Sequence, residues 1–141
     1  MGLVVLPLHV WDRELDSRIF LAAILANANN LVLFGHEYNL APIYRATEKL
    51  FHFGAGRPIY NEPRTNEWYE PILENGGFNG LVFEEGLNDI DSASAAMFRG
   101  INRRSDESTS AIYSWTKREK QLLLENAPHN LRNNISDKVG G

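Results

Sequence analysis

The stretch LVVLPLHVWDRELDSRIFLAAILANANNLVLF, residues 3–34, sets the fold class of this chain. It holds an apolar run from Leu3 to Val10, a helical segment from Asp12 and a second apolar run from Leu31 to Phe34. Asp12 suits a helix N-cap. Apolar residues predict one buried helical face, made of Leu15, Ile19, Ala22, Ala23 and Ala26. Two apolar runs joined by a helix predict parallel strands with a crossover helix between them.

The same alternation continues toward the C-terminal end. Further helices are predicted over residues 40–50, 65–74, 93–99 and 116–126. Residues 51–63 are expected to be mostly loop, and Gly76-Gly77 is expected to close the third helix. Further strands are predicted near Ile59-Tyr60, at Gly80–Phe83, at Ala111–Trp115 and from Lys138-Val139. The sequence therefore predicts a doubly wound α/β domain, with a mainly parallel, Rossmann-like sheet of about five or six strands.

Composition limits the classes of function. A chain of 141 residues predicts a single domain over 1–141, and a net charge of −4 argues against a general nucleic-acid binder. The chain has no cysteine, which excludes disulfides, thiolate metal ligands and cysteine nucleophiles and fits a cytoplasmic protein. No G-x-G-x-x-G or Walker A pattern occurs, so we expect no nicotinamide cofactor and no P-loop.

The segment Val82-Phe83-Glu84-Glu85-Gly86-Leu87 is the strongest candidate for chemistry. Its apolar run stops on two carboxylates and a glycine, and α/β sheets bind ligands beyond the carboxyl ends of their strands. Strand alternation points neighbouring side chains to opposite faces, so Glu84 and Glu85 cannot both address one substrate atom. One would act as general acid, base or charge stabiliser. The alternative is a solvated pair at the sheet edge.

Two further candidates follow the first two strands. Arg13 lies at a predicted helix start, beside backbone N–H groups that favour a phosphate or carboxylate. The alternative is a set of helix-surface ion pairs among Arg13, Glu14, Asp16 and Arg18. His36 follows the second strand, with a loop or packing role as its alternative. The four histidines lack metal-ligand spacing, so no metal site is predicted.

A receiver domain is the rival of similar length and topology. It needs an aspartate at the end of the third strand, where we expect Tyr60-Asn61-Glu62. That residue is missing, which argues against a receiver.

Four segments suggest a family. They are Leu6-Pro7 with Arg13–Arg18, Gly56–Tyr60, Glu84–Leu87, and Tyr113–Trp115 with the helix that follows. In this order they resemble the N-terminal half of bacterial surface carbohydrate biosynthesis proteins. These are GT-B-like glycosyltransferases related to the retaining β-Kdo transferases of capsule and lipopolysaccharide synthesis.

The resemblance implies a function. A relative would transfer a sugar from a nucleotide-activated donor to a growing glycan, in a cleft between this domain and a second Rossmann-like domain expected downstream. It implies Glu84 or Glu85 as the catalytic residue, and Arg13, Asp16, His36 and Gly86 as substrate-binding residues. No metal or other cofactor is implied, and the location would be cytoplasmic and compatible with peripheral membrane association. We expect residues 1–141 alone to bind without turnover.

Two alternatives stay open from the sequence. One is a non-catalytic α/β domain that binds an anionic glycan or a nucleotide. The other is a structural α/β module that needs a partner to cover its open sheet edge.

Overall fold

Strands and helices alternate along the chain, as the sequence pattern predicts. A computed structural model describes residues 1–8, 11–55, 63–82, 109–114, 116–126 and 132–139. In chain order the elements are β1 (Leu3–Leu8), α1 (Trp11–Asn27), β2 (Leu31–His36), α2 (Glu37–Ala46), β3 (Phe51–Ala55), α3 (Pro63–Glu74), β4 (Phe78–Val82), β5 (Ala111–Ser114), α4 (Lys117–Asn126) and β6 (Ile135–Val139).

The strands form one sheet of six strands in the order β2-β1-β3-β4-β5-β6, and every neighbouring pair is parallel. The chain steps from β1 to β2 in one direction, then crosses back over β1 to β3 and continues the other way. Because parallel crossovers are right-handed, this reversal places α1 and α2 on opposite faces. The predicted doubly wound, Rossmann-like fold is confirmed, and its topological switch point lies between β1 and β3.

The main core lies between the sheet and the helices α2 and α3, which contact each other. It holds buried side chains from β1, α2, α3 and the residue just before β3, namely Val5, Leu40, Tyr44, Leu50, Tyr69 and Ile72. On the other face α1 packs on β1 and β2. Strands buried on both faces explain why β1 is apolar along its whole length.

Local backbone chemistry ends two of the helices, and the end of α3 lies where the sequence predicts. After α3, Gly76 adopts φ 70, its N–H donates to the Leu73 carbonyl, and the Gly77 N–H donates to the Ile72 carbonyl. After α1, Asn29 adopts φ 63, its N–H donates to the Ala26 carbonyl, and the Asn30 N–H donates to the Leu25 carbonyl. These are Schellman motifs, in which a left-handed residue closes the helix.

The start of α4 is also as predicted. The Thr116 hydroxyl accepts a hydrogen bond of 3.1 Å from the Glu119 backbone N–H, which is the N-cap arrangement.

Several predicted boundaries are wrong. The third strand is Phe51–Ala55, in the segment expected to be mostly loop, and Ile59-Tyr60 lies outside the described residues, as does the helix predicted over 93–99. Gly54 suggested a turn in the sequence. In the structure a Cβ at this position would come within 2.6 Å of Pro7, so the glycine instead permits β3 to pack closely on β1. β3 carries no aspartate, which keeps a receiver domain excluded.

Two other elements differ from their predicted limits. α2 spans Glu37–Ala46 instead of residues 40–50, because Thr47 is extended and Lys49 adopts φ 55. β6 begins at Ile135, three residues before the predicted Lys138.

The buried face of α1 is also different from the prediction. Ile19 is 47% exposed and Ala23 and Ala26 are exposed, whereas Glu14 and Arg18 are buried. The inner stripe continues through the half-buried Leu21 and Leu25. Apolar residues surround most of α1, so their periodicity could not single out the side that meets the sheet.

The Schellman motif after α3 makes a testable prediction about Gly77. In Gly77→Ala the added Cβ would lie 2.6 Å from the Leu50 carbonyl oxygen and 2.7 Å from that of Ile72. Because both obstacles are backbone, we expect the free energy of unfolding to fall by about 1–3 kcal/mol. Urea denaturation measures this. Gly35→Ala is the control, since nothing lies within 4 Å of its added Cβ, and equal effects of the two variants would contradict the packing argument.

Candidate functional site

The candidate site lies at the carboxyl ends of β1 and β2. Leu8, the last residue of β1, is in register with His36, the last residue of β2. The helices α1 and α2 start just beyond these strand ends, at Trp11 and Glu37. The first turns of both helices therefore lie at the carboxyl end of the sheet, and β1 borders the switch point between β1 and β3, where doubly wound proteins bind ligands.

Three consecutive residues at the β2–α2 junction alternate between solvent and interior. His36 is exposed and Tyr38 is 65% exposed, and their rings stack with centroids 5.2 Å apart and planes 9° apart. Glu37 between them points inward and is only 6% exposed. His36 is the N-cap residue of α2 and has an extended backbone, so its side chain points outward while that of Glu37 points inward.

Glu37 occupies an unusual environment for a carboxyl group. The Tyr69 hydroxyl, from α3, donates a hydrogen bond to its Oε1. Burial, together with the negative charge of Glu14, raises the pKa of Glu37 to about 6, against the lowering effect of the Tyr69 hydrogen bond. Glu37 can therefore change its charge near neutral pH, which an exposed glutamate does not do.

The two phenols near Glu37 remain protonated. Burial, reinforced by the charge of Glu37, raises the pKa of both Tyr44 and Tyr69 above the ordinary value. Tyr69 therefore acts as a donor. Tyr44 is fully buried, and its hydroxyl has no hydrogen-bond partner within the described residues. Of these three groups, only Glu37 titrates near neutral pH.

The side of α1 that faces the sheet adds two charged residues, Glu14 and Arg18, which lie one helical turn apart. Both are buried, so the surface ion-pair alternative is wrong for them. The charge of Glu14 acts on Glu37, which shows that the first turns of α1 and α2 share one electrostatic environment.

A second polar contact lies deeper in the sheet. His52 Nδ1 on β3 is 2.7 Å from the side-chain oxygen of Asn79 on β4. An amide oxygen only accepts, so Nδ1 carries the proton. The Asn79 backbone N–H donates to the Ser110 hydroxyl, and the Asn79 carbonyl accepts from the Ser110 backbone N–H. This contact ties β3 and β4 to the segment that leads into β5, and its role is structural.

The structure settles the position of some predicted site residues. His36 lies at the carboxyl edge as predicted, and Asp16 is exposed on α1. The backbone of Arg13 lies in the first turn of α1, while its side chain lies outside the described part of the chain. Glu84, Glu85 and Gly86 also lie outside the described residues. His36 and the start of α1 are thus brought together at one edge.

Sequence reasoning missed Glu37 and Tyr69 and assigned Glu14 and Arg18 to the surface. Glu37 did carry a signal, because it directly follows a strand whose end was already a candidate position. Tyr69 carried none, since only packing decides which helix residue meets a carboxyl group 32 positions away along the chain.

Within the described residues there is no group of three or more His, Cys, Asp or Glu side chains placed to hold a metal ion. In the same part of the chain, the helices are all too short or too polar to cross a bilayer.

The His52–Asn79 contact predicts a stability effect. Asn79→Ala removes the acceptor of His52 Nδ1 in a buried position, which we expect to lower the free energy of unfolding by about 1–3 kcal/mol. Asn79→Asp keeps an acceptor and should lose less. Chemical denaturation of both variants checks this, with Asn133→Ala at an exposed position as the control. Similar stabilities for the Asn79→Ala and Asn133→Ala variants would rule out this role.

Comparison with protein-family models, curated proteins and solved structures gave no match to this chain.

Proposed function

We propose that this chain is the N-terminal, Rossmann-like domain of a glycosyltransferase of surface polysaccharide biosynthesis. It would bind a nucleotide-activated sugar and, with a second domain, transfer that sugar to a growing glycan. One observation carries the proposal: exposed aromatic rings and a titratable buried carboxyl group lie together at the carboxyl ends of β1 and β2. The parallel sheet and the four family-like segments support it.

The exposed rings belong to Trp11, His36 and Tyr38. Trp11 is 57% exposed at the start of α1, and the stacked His36–Tyr38 pair lies where β2 ends and α2 begins. Large exposed rings suit flat ligands. Nucleobases stack on aromatic rings, and the C–H face of a sugar packs on them in the same way.

The first turn of α1 supplies the proposed phosphate contact. Its free backbone N–H groups favour anions, and Arg13 lies in this turn. Asp12 and Glu14 lie in the same turn and oppose an anion. The proposal therefore assigns the phosphate, or the carboxylate of an acidic sugar, mainly to Arg13.

The proposed reaction uses Glu84 and Glu85, which follow β4 in the sequence. A glycosidic bond forms between the anomeric carbon of the donor and an acceptor hydroxyl, and the bond from that carbon to the nucleotide phosphate breaks. The hydroxyl proton passes to a base. We assign the general base or charge-stabilising role to one of Glu84 and Glu85, with Asp16, His36 and Gly86 as further substrate contacts.

The partners follow from this assignment. They are the nucleotide sugar, the glycan acceptor and a second Rossmann-like domain that forms the other wall of the cleft. We place the protein in the cytoplasm, where nucleotide sugars would be supplied, with peripheral membrane contact through its acceptor.

The exposed rings of Trp11, His36 and Tyr38 predict that this domain binds a nucleotide sugar. We expect a nucleotide sugar, tested as CMP-linked acidic sugars and UDP-hexoses, to raise the melting temperature of residues 1–141. Trp11→Ala and Tyr38→Ala should each weaken binding by about 5–150-fold, since one stacked base contributes about 1–3 kcal/mol. Thermal shift titration measures this.

Phe20→Ala is the matched control for these variants. Phe20 is 69% exposed, but it lies nine positions after Trp11 on α1, about 14 Å along the helix axis. Its variant should bind like the wild type. Equal loss in all three variants, or no shift with any nucleotide sugar, would overturn the proposed site.

The catalytic assignment predicts an asymmetry between the two glutamates. In a protein that includes the proposed second domain, we expect Glu84→Gln and Glu85→Gln to differ, with one nearly abolishing sugar transfer at saturating donor. Initial rates of transfer measure this. Wild-type rates in both variants would contradict the assignment, and binding without any transfer by the wild type would favour the non-catalytic alternative.

A further inference from the structure

The sheet edge at β2 lacks the charges that usually protect an open edge. Among the described strands, β2 lies at one end of the sheet and β6 at the other, so each pairs on one side only. β6 carries Asp137 and Lys138, and charged side chains hinder pairing with other chains. β2 reads LVLFGH, without an acidic residue, a lysine, an arginine or a proline, and its Leu31 and Phe34 are 51% and 45% exposed. The β2 edge is therefore open to a further strand.

An apolar flank of α1 lies above the same edge. The sheet-facing residues of α1 include Glu14, Arg18 and the half-buried Leu21 and Leu25. Each residue advances about 100° around a helix, so the residues that directly follow these four share one flank. This flank, called the Ile19 flank below, is made of Leu15, Ile19, Ala22 and Ala26. Because parallel crossovers are right-handed, it turns toward the outer edge of β2 and away from β3.

The Ile19 flank accounts for the difference between the predicted and the observed buried face of α1. Its four residues all belong to the apolar face that the periodicity predicts. In the structure Ile19 is 47% exposed and Ala26 is exposed, so this apolar face meets the open side of the sheet instead of its interior.

Phe34 lies on the same face of the sheet as α1. Val5 belongs to the core under α2 and α3, so the next residue of β1, Leu6, points to the opposite face, where α1 packs. Phe34 is in register with Leu6, and residues in register on neighbouring strands share a face. The Phe34 ring and the Ile19 flank therefore lie along one edge, on one face.

This edge has the geometry to meet a second copy of itself. Two β2 strands that pair antiparallel about a two-fold axis normal to the sheet keep both α1 helices on one face. Because α1 contacts both β1 and β2, its axis lies above the space between them, about half a strand spacing inside β2. With strands about 4.8 Å apart, the two α1 axes would lie about 10 Å apart, which is the distance between packed helices. The small side chains of Ala22 and Ala26 suit this approach.

The size and the charge of the surface also suit a dimer. The 17 residues of α1 span about 25 Å, and a helix on a sheet layer is about 20 Å high, which gives about 500 Å² in projection. Stable interfaces bury at least about 600 Å² of accessible surface per partner, and the relief of the side chains adds to the projected area. Residues 19–26, IFLAAILA, carry no charge, so the surface meets its copy without like-charge repulsion.

We propose that this chain forms a two-fold dimer, in which the β2 strands of two copies pair antiparallel and the Ile19 flanks of the two α1 helices pack together above them. The two sheets join into one of twelve strands, six from each copy. The dimer does not depend on the ligand proposed above.

Sedimentation equilibrium of residues 1–141 tests the proposal. The wild type should approach twice its mass of 16.0 kDa as its concentration rises from about 1 μM to about 1 mM. Ile19→Glu places a charge in the interface twice per dimer, so it should raise the dimer Kd by at least about 100-fold. Ile24→Glu is the matched control: Ile24 is 49% exposed on the same helix, but it lies about 140° around the axis from Ile19. This variant should dimerise like the wild type.

A second pair of variants tests the strand edge. Phe34→Lys places a charge on β2 and should raise the dimer Kd by a similar factor. Phe51→Lys is its control, since Phe51 is 50% exposed on the interior strand β3 and should not affect dimerisation. Circular dichroism checks that each variant is folded. Hydrogen exchange of the wild type should show the amides of Leu31–His36 gaining protection as the concentration rises, and Ile19→Glu should remove this gain.

Three results would overturn the proposal. The first is a wild type that stays monomeric over the whole concentration range, including one that binds phosphatidylglycerol vesicles through Ile19, which would assign the flank to a lipid surface. The second is equal loss of the dimer in Ile19→Glu and Ile24→Glu. The third is a dimer in which the β2 amides gain no protection. The measurements on the wild type decide the matter even if Phe34→Lys does not fold.

Discussion

The contact between Tyr69 and Glu37 is the constraint on which the described site depends. A carboxyl group that begins a helix normally lies in water, but here the β2–α2 junction turns Glu37 into the core. A buried polar group needs a partner, so α3 must approach closely enough for one phenol to reach it. That requirement holds α3 against α2. Tyr44, Leu50 and Ile72 complete the buried core between these helices and the sheet. The same inward turn leaves His36 and Tyr38 outside, so burial of one residue creates the exposed aromatic pair beside it.

The fold was largely predictable because its signals are local. Apolar runs such as Leu31–Phe34 mark strands, and Asn29 and Gly76 mark helix ends through their left-handed conformations. β3 was missed because its signal is not local. Phe51–Ala55 includes His52 and Gly54, which look like loop residues until Asn79 and Pro7 lie beside them.

The candidate site was less predictable than the fold. Sequence patterns assume that charge faces water, and this assumption placed Glu14 and Arg18 on the surface of α1. Their burial depends on the sheet beneath them, which is not visible in the spacing of α1. His36 was found because strand ends in a parallel sheet share an edge. Tyr69 could not be found, since its importance comes from a partner on another helix.

The position of β1 has a consequence for synthesis of the protein. β1 precedes β2 and β3 along the chain, yet it lies between them in the sheet, and Val4 pairs with Phe51. On a ribosome, the pair β1–β2 can form early, but one edge of β1 then stays open until residues 51–55 have emerged from the exit tunnel. An apolar open edge is a template for pairing with other chains. The nascent chain is therefore prone to aggregate during this interval, and chaperone binding to β1 and β2 would protect it then.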